Sequence, residues 1–175
     1  MVTLTTERLL LRPWRAEDFE DYARMQADPD VLRYIGDGQP QNRADAWRNL
    51  AMVVGHWVLR GFGIWAIEER SSGRLAGRAG LHQPEGWPGF EAGWLLAPEF
   101  WGKGYASEAA RASLKYAFTE LGREHVISLI VPENARSIKV AERIGERLEG
   151  KTEVFGREVL IFGIDKATWE EMSLR

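Results

Sequence analysis

Leu95-Leu96-Ala97-Pro98-Glu99-Phe100-Trp101-Gly102-Lys103-Gly104-Tyr105-Ala106-Ser107-Glu108-Ala109 is the stretch on which the rest of the chain is organised. An apolar run stops at a proline. Two glycines flank a lysine, and an alanine-rich helical pattern begins at once. The pattern predicts a strand, a tight loop and a helix N-terminus. Glycine permits backbone torsions that other residues resist, and without Cβ atoms it lets a ligand come close to the main chain. The first N–H groups of a helix have no internal partner, and the macrodipole adds positive character there. Such a loop is a cradle for a phosphate or diphosphate. It is not a Walker A loop, because Gly102-Lys103 is followed by Gly104 and not by Ser or Thr. A dinucleotide fingerprint needs Gly or Ala where Ser107 stands.

Composition limits the alternatives. The 175 residues suffice for one domain with a true core, so residues 1–175 are expected to form a single domain. A formal charge of −3 offers no general attraction to nucleic acid or to an anionic membrane. There is no cysteine, which excludes disulfides, thiolate nucleophiles and cysteine-based metal sites. The three histidines, His56, His82 and His125, have no ligand spacing, so no metal is expected. The beginning of the chain has no signal-peptide pattern and no stretch nears the ~20 apolar residues of a membrane span, so a cytoplasmic location is expected.

From this centre the remaining elements read outward. Leu9-Leu10-Leu11-Arg12 predicts the first strand, ended by Pro13. Residues 16 to about 27 suit a helix closed by Asp28-Pro29, and Asn42 caps a second that runs to Arg60 before Gly61. Strands are predicted over Phe62–Glu69, Leu75–His82 and Phe90–Leu96. The cradle helix carries Ala106, Ala110, Leu114, Ala117, Phe118 and Leu121 on one side and ends at Gly122. Val126–Val131 reads as a strand covered on both faces, Asn134–Ile144 as a short helix, and Arg147–Phe155 with Glu158–Asp165 as a closing hairpin. The order β-αα-βββ-α-β-α-ββ is an α/β layout with a mixed sheet.

Pro98-x-x-Trp101-Gly102-Lys103-Gly104-Tyr105-Ala106 resembles the acyl-CoA diphosphate loop of the GCN5-related N-acetyltransferases, and the element order matches that superfamily along nearly the whole chain. The opening Thr6-Glu7-Arg8-Leu9-x-Leu11-Arg12-Pro13-Trp14 is similar to the branch that holds the ribosomal-protein N-terminal acetylases. A third similar segment is Asn134-Ala135-Arg136-Ser137, where the family places an asparagine on the CoA arm and a serine near the sulfur. The resemblance implies a twisted, mostly antiparallel sheet splayed between its fourth and fifth strands and flanked by helices. It also implies acetyl-CoA as cosubstrate, pantetheine paired to the main chain at Leu96 and Ala97, and N–H groups there that polarise the thioester carbonyl. Leu96, Ala97, Trp101, Gly102, Lys103, Gly104, Tyr105, Ala106, Ser107, Asn134 and Ser137 are thus candidate cofactor contacts. Read bare, Asn134 is equally a helix cap and Lys103 an exposed loop lysine.

An attacking lysine-like amine has a pKa near ~10 and an α-amine one near ~8, so a base or water relay helps. Two candidates exist. Glu91 begins the strand that leads to the cradle, and His82 ends its neighbour with an ordinary pKa near ~6.5. Many relatives protonate the departing thiolate with a tyrosine on the closing half. Here Phe162 stands about there, leaving Ser137 or water. The expected reaction is direct acetyl transfer to a primary amine, on a small molecule or a protein N-terminus, by a monomer or homodimer. The alternative is a non-catalytic acyl-CoA sensor. Trp14, Tyr34, Trp87 and the second helix are expected to line the acceptor cleft.

Overall fold

The computed structural model describes residues 1–174. Eight strands form one sheet in the order β1-β2-β3-β4-β5-β6-β8-β7. They are β1 (Leu4–Thr5), β2 (Leu9–Arg12), β3 (Ile64–Glu69), β4 (Leu75–His82), β5 (Glu91–Leu96), β6 (His125–Ile130), β7 (Arg147–Val154) and β8 (Arg157–Asp165). Six α-helices flank them: α1 (Phe19–Gln26), α2 (Pro29–Leu32), α3 (Arg43–Arg60), α4 (Tyr105–Thr119), α5 (Ala135–Ile144) and α6 (Lys166–Ser173). Every neighbouring pair of strands is antiparallel except β5 and β6, which run parallel.

The helix limits lie where the local signals put them. Asn42 accepts from the Asp45 N–H at the start of α3, and Gly61 ends it at φ +76°. Gly145 ends α5 at φ +97°. Three elements escape the sequence reading. Asp28-Pro29, read as a terminator, also starts α2: Asp28 accepts from the N–H groups of Asp30 and Val31, and Pro29 occupies the first turn. Strand β1 is two residues long. Helix α6 has no buried residue and meets the core chiefly through Trp169, whose ring lies 5.3 Å from Phe118.

Cross-strand register divides the sheet into two working faces. Leu81 pairs with Ala92 and Gly77 with Leu96, on the face covered by α4 through Ala109, Ala110, Leu114 and Phe118. His82 pairs with Glu91, Gly80 with Gly93 and Arg78 with Leu95, on the opposite face. There Leu95 packs with Tyr22, Met25, Val31 and Leu32 from α1 and α2. Gly80 cannot carry a side chain: its φ is +154°, and a Cβ would lie 2.4 Å from the Gly63 carbonyl.

The expected splay is present, and side chains open it. Strands β5 and β6 are in register only at Glu91 and Ile127, where the Ile127 N–H donates to the Phe90 carbonyl at 2.9 Å. One step on, the Ser128 hydroxyl donates to the Ala92 carbonyl at 2.7 Å. The Leu129 N–H lies near enough to the Glu91 side chain to favour its charged form. Beyond that point the strands part. Ala97 N–H bonds back to Ala76 O, which sets the phase of the β4–β5 ladder. By alternation, the Trp94 and Leu96 N–H groups point away from β4, into the opening.

Candidate active site

Two hollows meet at the opening. The first is a slot of about 570 Å³ between the cradle loop and α5. Gly102 and Gly104 have φ of +76° and +82°, and a Cβ on Gly102 would meet nothing within 4 Å. The main chain therefore lies bare there. Among the described residues, no group accepts from the N–H of Gly102, Lys103 or Gly104. Ser107, in the first turn of α4, lines the same slot with a buried hydroxyl that has no partner. Arg33, Arg136, Lys139 and Arg143 also line it, and the Arg136 guanidinium lies 4.6 Å from the Trp101 ring centre. Bare N–H groups, an orphaned hydroxyl and four cations, set against the two carboxylates of Asp30 and Glu133, are the complement of a polyanion.

The second hollow, about 390 Å³, lies on the α1–α3 side and is lined by Arg78, His82, Trp87, Glu91, Asn49 and Met52 among others. Both hollows share Tyr34, Ile35, Trp94, Leu95, Asn134 and Ser137 as wall. Trp94 Nε1 donates to Ser137 Oγ at 3.3 Å, which leaves the Ser137 proton free to be donated. Asn134 Oδ1 accepts from the Ser137 N–H at 3.2 Å, so it is a helix cap. Its side-chain N–H groups remain unpartnered among the described residues.

Environment separates the two candidate bases. Trp87 Nε1 donates to Glu91 Oε2 at 2.6 Å, yet burial outweighs this bond and pushes the Glu91 carboxyl up to about 7. His82 moves the other way. Burial, then the neighbouring His56 and Arg78, bring it down to about 4, far below the ordinary value expected from sequence. Its ring stacks on His56 at 5.3 Å and meets the edge of Trp87 at 5.0 Å. His56 is fixed between two backbone groups, with Nδ1 2.8 Å from the Phe62 carbonyl and Nε2 accepting from the Gln83 N–H at 3.1 Å.

A third ionisable group stands behind Glu91. Glu146 is 0% exposed and its Oε1 lies 2.9 Å from Ser128 Oγ, the hydroxyl already 2.7 Å from the Ala92 carbonyl. A hydroxyl has one proton, and the carbonyl can only accept it. That proton is thereby shared between two acceptors, so Ser128 supports a charged Glu146 only weakly. Burial outweighs that bond and, with Glu91 and Glu149 nearby, raises Glu146 to about 8.

Of the residues singled out by sequence, Leu96, Trp101, Gly102, Gly104, Tyr105, Ala106, Ser107, Asn134 and Ser137 line the slot. Ala97 and Lys103 do not. Ala97 bonds back to β4, and the Lys103 ammonium is turned to Glu69, at 3.5 Å, and to the rings of Phe100 and Tyr105. Glu91 and His82 stand directly opposite each other in the second hollow, with Tyr34, Trp87 and α3. Trp14 lies outside it, its indole N–H donating to the Ile64 carbonyl at 3.0 Å. Phe162 is a core residue packed with Ile130 and Ala141. The sequence reading missed Arg78, Ser128, Glu146 and the basic stripe of α5. Only the last had a local signal, the three- and four-residue spacing of Arg136, Lys139 and Arg143.

A polyanion-complementary slot and an acid-bearing cleft open onto one wall, the layout that a group-transfer enzyme needs. Residues 8–147 match the family model described as an acetyltransferase (GNAT) domain. The chain is similar to YkkB of Bacillus subtilis (strain 168), with 35% identity over 81% of this chain and 83% of that protein. It is also similar to the FsC-acetyl coenzyme A-N(2)-transacetylase of Aspergillus fumigatus, at 32% identity over 82% of this chain and 64% of that protein. Among solved structures, an acetyltransferase from Agrobacterium tumefaciens superposes with a TM-score of 0.84 and 33% identity, covering 94% of each chain. The chain belongs to the GNAT acetyltransferase family and is an acyltransferase.

Proposed function

We propose that the chain moves an acetyl group from acetyl-CoA to a primary amine by direct attack, with Glu91 receiving the amine proton directly or through water. The observation that carries this reading is the shared wall. Donor slot and acceptor cleft meet over Trp94, Leu95, Asn134 and Ser137, beside the Trp94 and Leu96 N–H groups that face the opening. The slot fits the donor: the Gly102–Gly104 N–H groups and the Ser107 hydroxyl suit its diphosphate, and the α5 cations its remaining charge. When bound, acetyl-CoA supplies the activated acyl group. The relative from Aspergillus, named for acetyl coenzyme A and a nitrogen acceptor, supports both halves of the assignment.

The chain's own groups then have separable tasks. Trp94 and Leu96 N–H groups face the opening, where they polarise a carbonyl oxygen laid along β5. Glu91, held near 7 by burial, is partly ionised at neutral pH and strong enough to accept a proton. His82, held near 4, is a weak base and serves the cleft as a neutral wall. Ser137 receives one hydrogen bond from Trp94 and keeps its own proton for the departing sulfur. With no cysteine in the chain, no thioester forms on the protein.

Thiol release from acetyl-CoA, measured with a panel of amines, tests this reading. Amine-dependent release is expected. Acetyl-CoA binding without release in any case would instead establish a sensor.

A further inference from the structure

Among the described residues, the floor of the acceptor cleft carries a cation that no carboxylate contacts directly. Arg78 is half-buried on β4, opposite Leu95. Its Nη1 donates to Tyr22 Oη at 3.0 Å and to Asn49 Oδ1 at 3.1 Å, which uses both Nη1 protons on uncharged partners. The Nε–H and the two Nη2–H groups have no partner among the described residues. They are not sealed in, since none of these atoms belongs to the buried unpartnered set. Arg12, the other enclosed arginine of the sheet, is matched by Asp18 at 2.7 Å and Glu68 at 2.6 Å. Removing a guanidinium from water is costly unless an anion replaces the lost hydration. Arg78 thus stands ready for an anion that the protein does not supply.

The shape around it says what kind of anion. The Nε–H and Nη2–H edge is the fork that binds a carboxylate through two parallel hydrogen bonds. The fork is braced from behind: Tyr22 is fully buried, and Gln26 Nε2 lies 3.2 Å from Tyr22 Oη, Gln41 Oε1 and Asn49 Oδ1. Between Arg78 and the His82–Glu91 pair lie only Gly80 and Gly93, so the floor is bare for about 13 Å, four strand residues. A Cβ at Gly93 would find one atom within 4 Å, Glu91 Oε1 at 3.8 Å. Leu95, opposite Arg78, is also part of the wall shared with the donor slot. A ligand seated on Arg78 therefore lies beside the transfer point, with Glu91 further along the same floor.

We propose that the acceptor is a small amine that carries its own carboxylate, an amino acid or a close derivative, and that Arg78 binds that carboxylate. The inference rests on the transfer reading given above and narrows it. A polyamine is the opposite case, since its second cation would lie against an unpaired guanidinium.

Thiol release should be compared across matched triplets: an amino acid, its amide, and the amine left by removing the carboxylate, with spermidine alongside. The best amino acid should exceed its amide and its decarboxylated partner in kcat/KM by about 10- to 100-fold, the range for a charged two-bond contact. In Arg78→Gln and Arg78→Met that ratio should collapse toward one, and Arg78→Lys should restore part of it. Calorimetry gives a second readout. The N-acetylated form of the best amino acid, which has a carboxylate but no attacking amine, should bind the wild type and lose binding in Arg78→Gln. Acetyl-CoA affinity confirms that the variants are folded. Amides and polyamines acetylated as fast as acids, or an Arg78→Gln that lowers all three members of a triplet equally, would overturn this inference and leave the transfer reading intact. Binding of acetyl-CoA with no thiol release from any amine would overturn both.

Discussion

Glu146→Gln should make this protein more stable at neutral pH and flatten its pH dependence. The side chain is 0% exposed, and the one hydroxyl it meets, Ser128, is shared with the Ala92 carbonyl. Folding raises its pKa from an ordinary 4.5 to about 8, chiefly by burial. The sign follows by linkage. A raised acid is fully accommodated below its unfolded pKa, and its contribution is lost as pH climbs through the window from 4.5 to about 8. Moving from pH 5 to pH 7 lies inside that window and costs the wild type about 2 to 3 kcal/mol at ~1.4 kcal/mol per pH unit. Glutamine stays neutral throughout, and its amide oxygen can accept from Ser128 as the carboxyl oxygen does. Urea unfolding of both proteins at pH 5, 6, 7 and 8 should show curves that nearly coincide at pH 5 and diverge by that amount at pH 7. Parallel curves, or a glutamine variant less stable at every pH, would refute a neutral Glu146.

Two further variants probe the donor slot. Gly102→Asp adds a carboxylate where a Cβ meets no protein atom, so it should abolish acetyl-CoA binding in calorimetry; the φ of +76° adds a stability cost of about 1 kcal/mol. Asn134→Ala removes a cap to the Ser137 N–H and should cost about 1 kcal/mol in thermal unfolding, whereas Asn134→Asp keeps the cap and should raise only the KM for acetyl-CoA.

Sequence exposed those features whose causes are local. Gly61 and Gly145 stop helices, Asn42 starts one, and Gly102 and Gly104 need no tertiary information to signal bare backbone. The loop also named the family, and with it Glu91 and the splay. What escaped depends on what folds over a residue. Arg78, in Ala76-Gly77-Arg78-Ala79-Gly80, reads as an outward strand residue until α1 and α3 cover that face with Tyr22 and Asn49. Glu146 follows a helix stop within the polar run Gly145-Glu146-Arg147, where nothing suggests burial; the β5–β6 wedge encloses it. His82 was assigned an ordinary pKa because neither burial nor His56, 26 positions away, is visible along the chain. Lys103 was read toward phosphate by proximity, while Glu69 arrives from a distant strand to hold it. Helix α6 is mostly polar and holds on through Trp169, too little periodicity to register.

The pH dependence of kcat/KM, measured for the wild type, Glu91→Gln and His82→Gln with one accepted amine, tests the proposed chemistry most directly. With Glu91 as base, the wild-type profile should rise through a limb near 7, the value its burial imposes. Glu91→Gln should lose on the order of 10²-fold in kcat, lose that limb, and recover partly at high pH where the amine deprotonates unaided. His82→Gln should keep both rate and limb. A limb near 4 that disappears in His82→Gln, or a Glu91→Gln enzyme with the wild-type rate and profile, would contradict Glu91 as the base.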